Sequence, residues 1–231
     1  MSLLQPNPTD ATFGRGGDEP YARAIRHEAQ GGLALREAGP ISSTAGARLE
    51  LDFDKWSDDA DDIDHSLLRN ARGPILDIGC GPGRMVRAAG RLGLVALGLD
   101  VSPEVVAMAR RGGVAVALGS VFERVPAEGL WGTALLIDGN VGIGGDVAAL
   151  LARCRDILAP SGVLIVEVHT DDDRDHAYSA TLVDDEGAQS GVFPWAEIGA
   201  IRLADVARAS GYTVERAIVA GGRRFCRLTR A

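Results

Sequence analysis

Lysine is almost missing from this sequence: of 24 basic residues, only Lys55 is one. The skew toward arginine is a habit of GC-rich genomes and carries no functional message. Basic charge is also in the minority, leaving a net charge of -8 and an isoelectric point near 5.0. That balance disfavours a chain that grips nucleic acid or an anionic membrane surface. Long apolar runs are absent; none approaches the roughly 18 residues that a membrane-spanning helix needs. The first residues, MSLLQPNPTD, lack the basic start and apolar stretch of a secretory signal. Cysteine is scarce. Cys80, Cys154 and Cys226 are far apart, and no two have metal-ligand spacing. They suit a reduced cytoplasm better than a disulfide scaffold.

What remains is a chain of 231 residues, enough for one α/β domain with a core and a small cap. Residues 1–20 are rich in proline and glycine and poor in apolar side chains, so they read as a tail. Residues 21–71 carry helical pieces and read as a small N-terminal helical cap, with WSDDADDIDHSLLRNA as a helix that Ser57 could cap. From residue 72 to 231 the pattern alternates. PILDIG, LVALGLD, GVAVALG, GTALLID and GVLIVEV read as strands, with amphipathic helices after the first two and before the last. Continuous apolar strands between such helices indicate a parallel sheet buried on both faces. Ser102 and Pro103 mark one helix start as N-cap and first residue. The end differs: TVERAIVA, GGRR and FCRLTR predict an antiparallel hairpin that closes the sheet.

The stretch ILDIGCGPGR carries the strongest functional signal. A glycine-rich turn between the first strand and the first helix marks a nucleotide site at the strand ends. The dinucleotide fingerprint G-x-G-x-x-G fails here. Counted from Gly79 and Gly81, its third glycine falls on Arg84; counted from Gly81 and Gly83, it falls on Val86. Asp77, just before the loop, would repel a pyrophosphate and suits a ligand bearing an ammonium group. Asp100 ends the second strand, where an acid can take two ribose hydroxyls; that fits either ligand.

LDIGCGPG followed by LGLDVSPEVVAMAR resembles the class I S-adenosylmethionine-dependent methyltransferases. The resemblance covers residues 72–231 and implies a Rossmann-like, doubly wound α/β fold: a seven-stranded sheet, mostly parallel, with an antiparallel C-terminal hairpin strand. It implies S-adenosyl-L-methionine as cofactor and S-adenosyl-L-homocysteine as product. The glycine loop, with Asp77, Gly79, Cys80, Gly81 and Gly83, would underlie the methionine part and the ribose. Asp100, followed by Val101, would hold the ribose hydroxyls. Where the family often has Gly-Asp after the third strand, this chain has Gly119-Ser120 and then Val121; Ser120 can still hydrogen-bond the adenine. Where it often has Phe-Asp before the fourth strand, this chain has Trp131-Gly132. Cys80 lacks a histidine partner and reads as a small filler.

The stretch IDGNVGIGGD would end the fourth strand and place Asp138, Gly139 and Asn140 beside the sulfonium at the acceptor mouth, while Asp146 caps the next helix. His169, at the end of the fifth strand, is either a general base or a pocket-lining side chain. Asp138 is the second catalytic candidate. Asp138 and Asp171 could imitate the carboxylates of magnesium-dependent relatives, but the oxygen-rich set that magnesium needs is not evident, and no metal is expected. In the cap, Tyr21, Arg23, Arg26, Arg36 and Trp56 face the question of cofactor cover against ordinary surface. Phe193 and Trp195 either wall an acceptor pocket or plug the cap.

The reading is a cytoplasmic methyltransferase that acts on an oxygen or nitrogen of a small molecule, with no nucleic-acid or membrane partner. The Asn-Pro-Pro-aromatic element of DNA and protein amide methyltransferases is not found after the fourth strand. The alternatives are a nicotinamide-dependent oxidoreductase and a homologue that binds the cofactor without chemistry.

Overall fold

The computed structural model describes residues 13, 20–26, 32–38, 48–51 and 53–231. The expected N-terminal tail falls outside the described residues except at Phe13 and Pro20. The chain opens with α1 (Pro20–Ile25), β1 (Leu33–Glu37), β2 (Arg48–Leu51), α2 (Phe53–Ser57) and α3 (Asp62–Arg69). The alternating part follows as β3 (Ile75–Ile78), α4 (Arg84–Arg91), β4 (Ala96–Asp100), α5 (Pro103–Arg111), β5 (Val116–Leu118) and β6 (Trp131–Leu136). After a 3-10 turn at Asn140–Gly142 come α6 (Val147–Ile157) and β7 (Leu158–Val168). The chain ends with β8 (Asp175–Asp184), β9 (Phe193–Ile198), α7 (Ala200–Ala209), β10 (Tyr212–Ala220) and β11 (Arg223–Arg230).

Seven strands form the main sheet in the order β10-β11-β7-β6-β3-β4-β5. Neighbours from β7 to β5 are parallel. β11 runs against both β7 and β10, so the C-terminal hairpin closes a parallel sheet as the sequence pattern predicts. Alternate residues of each strand feed opposite faces. Leu76, Ile78, Leu136 and Leu164 pack with Leu150, Leu151 and Leu203 of the helices on one side. Ile75, Leu135, Val163 and Ile165 pack with Leu67, Leu68, Met85 and Ala89 on the other. The helix starts follow their caps. Ser102 Oγ accepts from Val105 N–H at 3.4 Å, and Asp146 Oδ1 from Ala149 N–H at 3.0 Å. The exception is the helix expected to start at Ser57. Ser57 ends α2 instead, and α3 begins after Asp61, whose carboxylate caps Asp64 N–H while Asp64 reaches back to Asp61 N–H. This reciprocal box satisfies two otherwise unpaired amides and outcompetes the serine.

The N-terminal region is not wholly helical. Strands β1 and β2 join β8 and β9 in a four-stranded antiparallel sheet, ordered β2-β1-β8-β9. VFPWAEIG, the segment that carries Phe193 and Trp195, is mostly strand β9. The cap comes from two stretches of chain more than 100 positions apart in sequence, joined where Leu35 pairs with Leu182 and Leu33 with Asp184. Beneath it Leu35, Leu182, Phe193 and Trp195 pack on Tyr21, Ile25 and Val105 of α5. Leu182 is fully buried at this junction. Leu182→Ala should cost about 2–5 kcal/mol, which in a chain of this length lowers Tm by about 2–4 °C per kcal/mol. Thermal melts check it; a change below about 1 kcal/mol would mean that the cap contributes little to global stability.

Candidate functional site

The carboxyl ends of β3, β4, β5 and β6 open into one cavity of about 400 Å³, roofed by the cap. That size is ordinary for a small-molecule site. The glycine loop forms its floor and is tied to the end of β4, with Gly79 and Cys80 N–H both donating to Leu99 C=O at 2.8 and 3.1 Å. The three glycines serve different ends. A Cβ on Gly79 would lie 2.7 Å from the Asn140 amide, and one on Gly83 would lie 2.6 Å from Val114. Those two are needed for protein packing. Gly81, at φ +52°, would meet only the Tyr21 hydroxyl, at 3.7 Å, so the space its missing side chain leaves belongs to the cavity.

Two carboxylates flank that space. Asp100 is held by backbone: Oδ2 accepts from Gly81 N–H at 3.0 Å and Oδ1 from Ser102 N–H at 2.9 Å. Burial pushes its pKa up to about 6, and the amides of Ser102, Gly81 and Val101 only partly offset this. Asp77 is 3% exposed. Burial, then the negative charges of Asp138 and Asp100, push it up to about 8. A cation placed beside it would restore its charge. Cys80 packs under the loop, with its Sγ in the place a Cβ on Gly98 would take. Burial raises its thiol well above the ordinary value, which fits a filler.

Asp138 adopts the left-handed region at φ 55°, uncommon for a side-chain-bearing residue. Its N–H donates to Glu167 Oε2 at 2.7 Å. Its carboxylate pairs with Arg84, with Arg223 Nη2 at 3.3 Å and with Lys55 Nζ at 3.4 Å. Arg84 also pairs with Asp64, and Arg223 spans Asp64 at 2.9 Å and Glu167 at 2.8 Å. This network of Arg84, Arg223, Asp64 and Glu167 was missed from sequence. Arg84, standing where a dinucleotide loop would carry glycine, and Lys55, the sole lysine, were the visible signals; Arg223 lay hidden in a hairpin turn.

Most expected site residues line the cavity. Asp77, Gly79, Cys80, Gly81, Asp100 and Val101 do so, as do Ser120, Val121, Asp138, Gly139, Asn140 and Trp195. Gly83 does not; it packs on Val114. Asn140 spends its Nδ2 on the carbonyls of Ile78 and Gly79, both at 2.9 Å, and so clamps the loop. His169 is not at the crevice. β7 ends at Val168, the chain turns to bridge Gly199, and the exposed imidazole accepts Asp171 N–H at Nδ1, 3.0 Å away. Phe193 is buried in the seam under the cap and does not line the cavity. Among the cap candidates, Tyr21 and Trp56 line it, whereas Arg23 pairs with Asp184 at 3.0 Å. Arg36 sits in β1 opposite Thr181. Among the described residues no group of three His, Cys, Asp or Glu is placed to hold a metal.

Residues 56–215 match the family model of a methyltransferase domain. No curated protein matches the sequence. Among solved structures, the chain is similar to a methyltransferase from Bacteroides fragilis that depends on S-adenosylmethionine, in complex with S-adenosylhomocysteine. Identity is 20% over 99% of this chain and 98% of that one, with a TM-score of 0.73. It is also similar to the 1,6-didemethyltoxoflavin-N1-methyltransferase of Burkholderia thailandensis, at 20% identity over 78% and 82% of the two chains and a TM-score of 0.57. An amino pentose methyltransferase from Micromonospora echinaspora gives 20%, 76%, 92% and 0.53 in the same order. At these identities the likeness is one of fold.

The buried carboxylates make stability depend on pH. Asp77 keeps its proton in the folded chain up to about pH 8, while the unfolded chain releases it near 3.8. With the folded pKa raised, the contribution of the neutral acid is complete below the unfolded value and is lost as pH rises through the folded one. Asp100 finishes its own loss at about pH 6, so the further fall toward about pH 8 belongs to Asp77. In ligand-free protein, Asp77→Asn should hold Tm level from about pH 6 to about pH 8, where the wild type loses several degrees, at ~2–4 °C per kcal/mol. Parallel slopes in thermal melts of the two proteins would contradict this account.

Proposed function

This chain belongs to the methyltransferase-domain family, and from that premise we propose that it moves a methyl group from S-adenosylmethionine to an oxygen or nitrogen of a small-molecule acceptor, releasing S-adenosylhomocysteine. The observation that carries the cofactor assignment is the convergence of buried Asp77 and Asp100 on the open space at Gly81. The residues fit the cofactor. Each oxygen of Asp100 uses one acceptor site on backbone amide and keeps another for a ribose hydroxyl. Asp77 suits the cationic ammonium of the methionine part. Ser120 and Val121 border the adenine side. A pyrophosphate would bring Asp77 no cation to restore its charge, and Arg84 replaces the third glycine of a dinucleotide loop; both favour this cofactor over a nicotinamide.

Bound S-adenosylmethionine supplies an activated methyl group, so the protein's main task is orientation, which alone can contribute about 7–11 kcal/mol. The glycine loop, clamped by Asn140, and Asp138, fixed by three cations, keep the floor rigid beneath the acceptor. Neither base candidate is free: His169 stands outside the cavity and Asp138 is bound in ion pairs. We therefore assign a proximity mechanism in which the acceptor reacts as a neutral amine or a readily ionised hydroxyl and the proton leaves to water. A cytoplasmic location is part of the same reading; among the described residues no helix is long and apolar enough to cross a membrane.

Charge-assisted hydrogen bonds contribute about 1.5–3 kcal/mol each. Asp100→Asn, which keeps one carbonyl acceptor, should weaken S-adenosylhomocysteine binding about tenfold or more, and Gly81→Ala should do the same by filling the cradle. Calorimetric titration with thermal melts as a folding control checks both. Wild-type affinity in a folded variant, or tighter binding of NAD than of S-adenosylhomocysteine, would overturn the assignment.

A further inference from the structure

The glycines of GNVGIGG are not explained by the cofactor. A Cβ on Gly142 would collide with the Ala196 carbonyl oxygen of β9 and lie 2.7 Å from the indole ring of Trp195, and one on Gly144 would lie 2.7 Å from the ring of Phe122. One on Gly145 would lie 2.8 Å from Pro194. The turn after β6 is thus stripped of side chains where β9, with its Pro194 and Trp195 rings, and the Phe122 ring pack against it beside the cavity. Opposite it, the cap contributes Phe13, Tyr21, Leu35 and Trp56 to the lining, and none of these carries charge.

The rings hold one another at angles. Phe13 lies 5.0 Å from Tyr21 edge-on and 5.5 Å from Trp195 in a tilted pair, and Tyr21 meets Trp56 edge-on at 6.2 Å. The charged lining residues are Asp77, Arg84, Asp100, Glu123 and Asp138; none comes from the cap, and Asp138, the one nearest the acceptor mouth, is committed to ion pairs. A polyhydroxylated acceptor would leave hydroxyls unpaired against this wall, at about 1–3 kcal/mol each. A flat ring would gain offset or edge contacts from the same side chains.

Building on the methyl-transfer reading, we propose that the acceptor is an uncharged planar aromatic molecule, seated against Trp195 and the Phe13–Tyr21–Trp56 rings, with a ring-attached amine or hydroxyl turned toward Gly139. The acceptor's lone pair forms the new bond to the methyl carbon. The methyl–sulfur bond breaks with its electron pair kept by sulfur, and the acceptor's proton passes to water. The glycine-rich turn is the specificity device, because it lets the rings approach.

The test uses the full chain saturated with S-adenosylhomocysteine. Quinolin-6-ol and 6-aminoquinoline are the planar probes; glucosamine and cyclohexanol are the polar and non-planar controls. Calorimetric titration should show both quinolines binding at least about fivefold more tightly than either control. Trp195→Leu and Trp56→Leu, which keep apolar bulk and remove the ring, should each weaken the quinolines about fivefold while S-adenosylhomocysteine still binds. Glucosamine or cyclohexanol binding as well as the quinolines, no binding by any probe, or leucine variants that retain quinoline affinity would overturn the proposal. Failure of the wild type to bind S-adenosylhomocysteine would instead sink the methyl-transfer reading, a separate and earlier result.

Discussion

Five ionised side chains beneath the cavity hold the site in place. Asp64 comes from α3, Arg84 from α4, Asp138 from the end of β6, Glu167 from β7 and Arg223 from β11. Asp64 is fully buried and Arg84 is 4% exposed. Such a cluster adds little net stability over an apolar one, because each charge gives up its water. Removing one member is another matter: the partners left behind are uncompensated, at about 3–5 kcal/mol. The consequence is positional. A cap helix, the first helix of the nucleotide unit, two strand ends and the C-terminal hairpin are fixed to one point, and Asp138 is anchored there at its positive φ.

This arrangement separates holding from binding. The cations neutralise Asp138 and Glu167, yet among the described residues none offsets the burial of Asp77 or Asp100. Those two acids stay buried without a protein cation, which is why burial dominates both shifts. The protein keeps a site that is poorly satisfied when empty and better satisfied when a ligand brings a positive group to Asp77 and hydroxyl donors to Asp100. Folding stability is given up there, and binding recovers it.

The cap extends the same division of labour. Its sheet is built from the segment before the nucleotide unit and the segment between β7 and α7, so the glycine loop and the proposed acceptor wall lie on separate layers joined by an apolar seam. The acceptor wall can therefore differ in sequence without disturbing Gly81 or Asp100. The rings at its edge depend on glycines in the turn after β6, which belongs to the nucleotide unit; that turn is where the two layers must match.

The main sheet, its antiparallel end and the glycine loop were legible in the sequence because their signals are local: runs of apolar residues, caps such as Ser102 and Asp146, and Asp77 next to Gly79. The place of Asp100 was legible for the same reason, since it ends an apolar run at a set distance from the loop. The cap sheet was not, because the short β1–β2 pair joins a larger sheet only when β8 arrives about 140 residues later; its mixed pattern does not announce that partner. Tertiary contacts alone decided that Gly79 and Gly83 serve packing while Gly81 faces the cavity. They also made Asn140 a clamp on the glycine loop and drew Arg223 under the site. His169 shows the limit most directly: its position after an apolar strand was plain, but the chain's turn toward Gly199 sent the ring to solvent. Periodicity fixes which residues share a strand, whereas the direction a chain takes once the strand ends depends on distant partners that the local sequence does not contain.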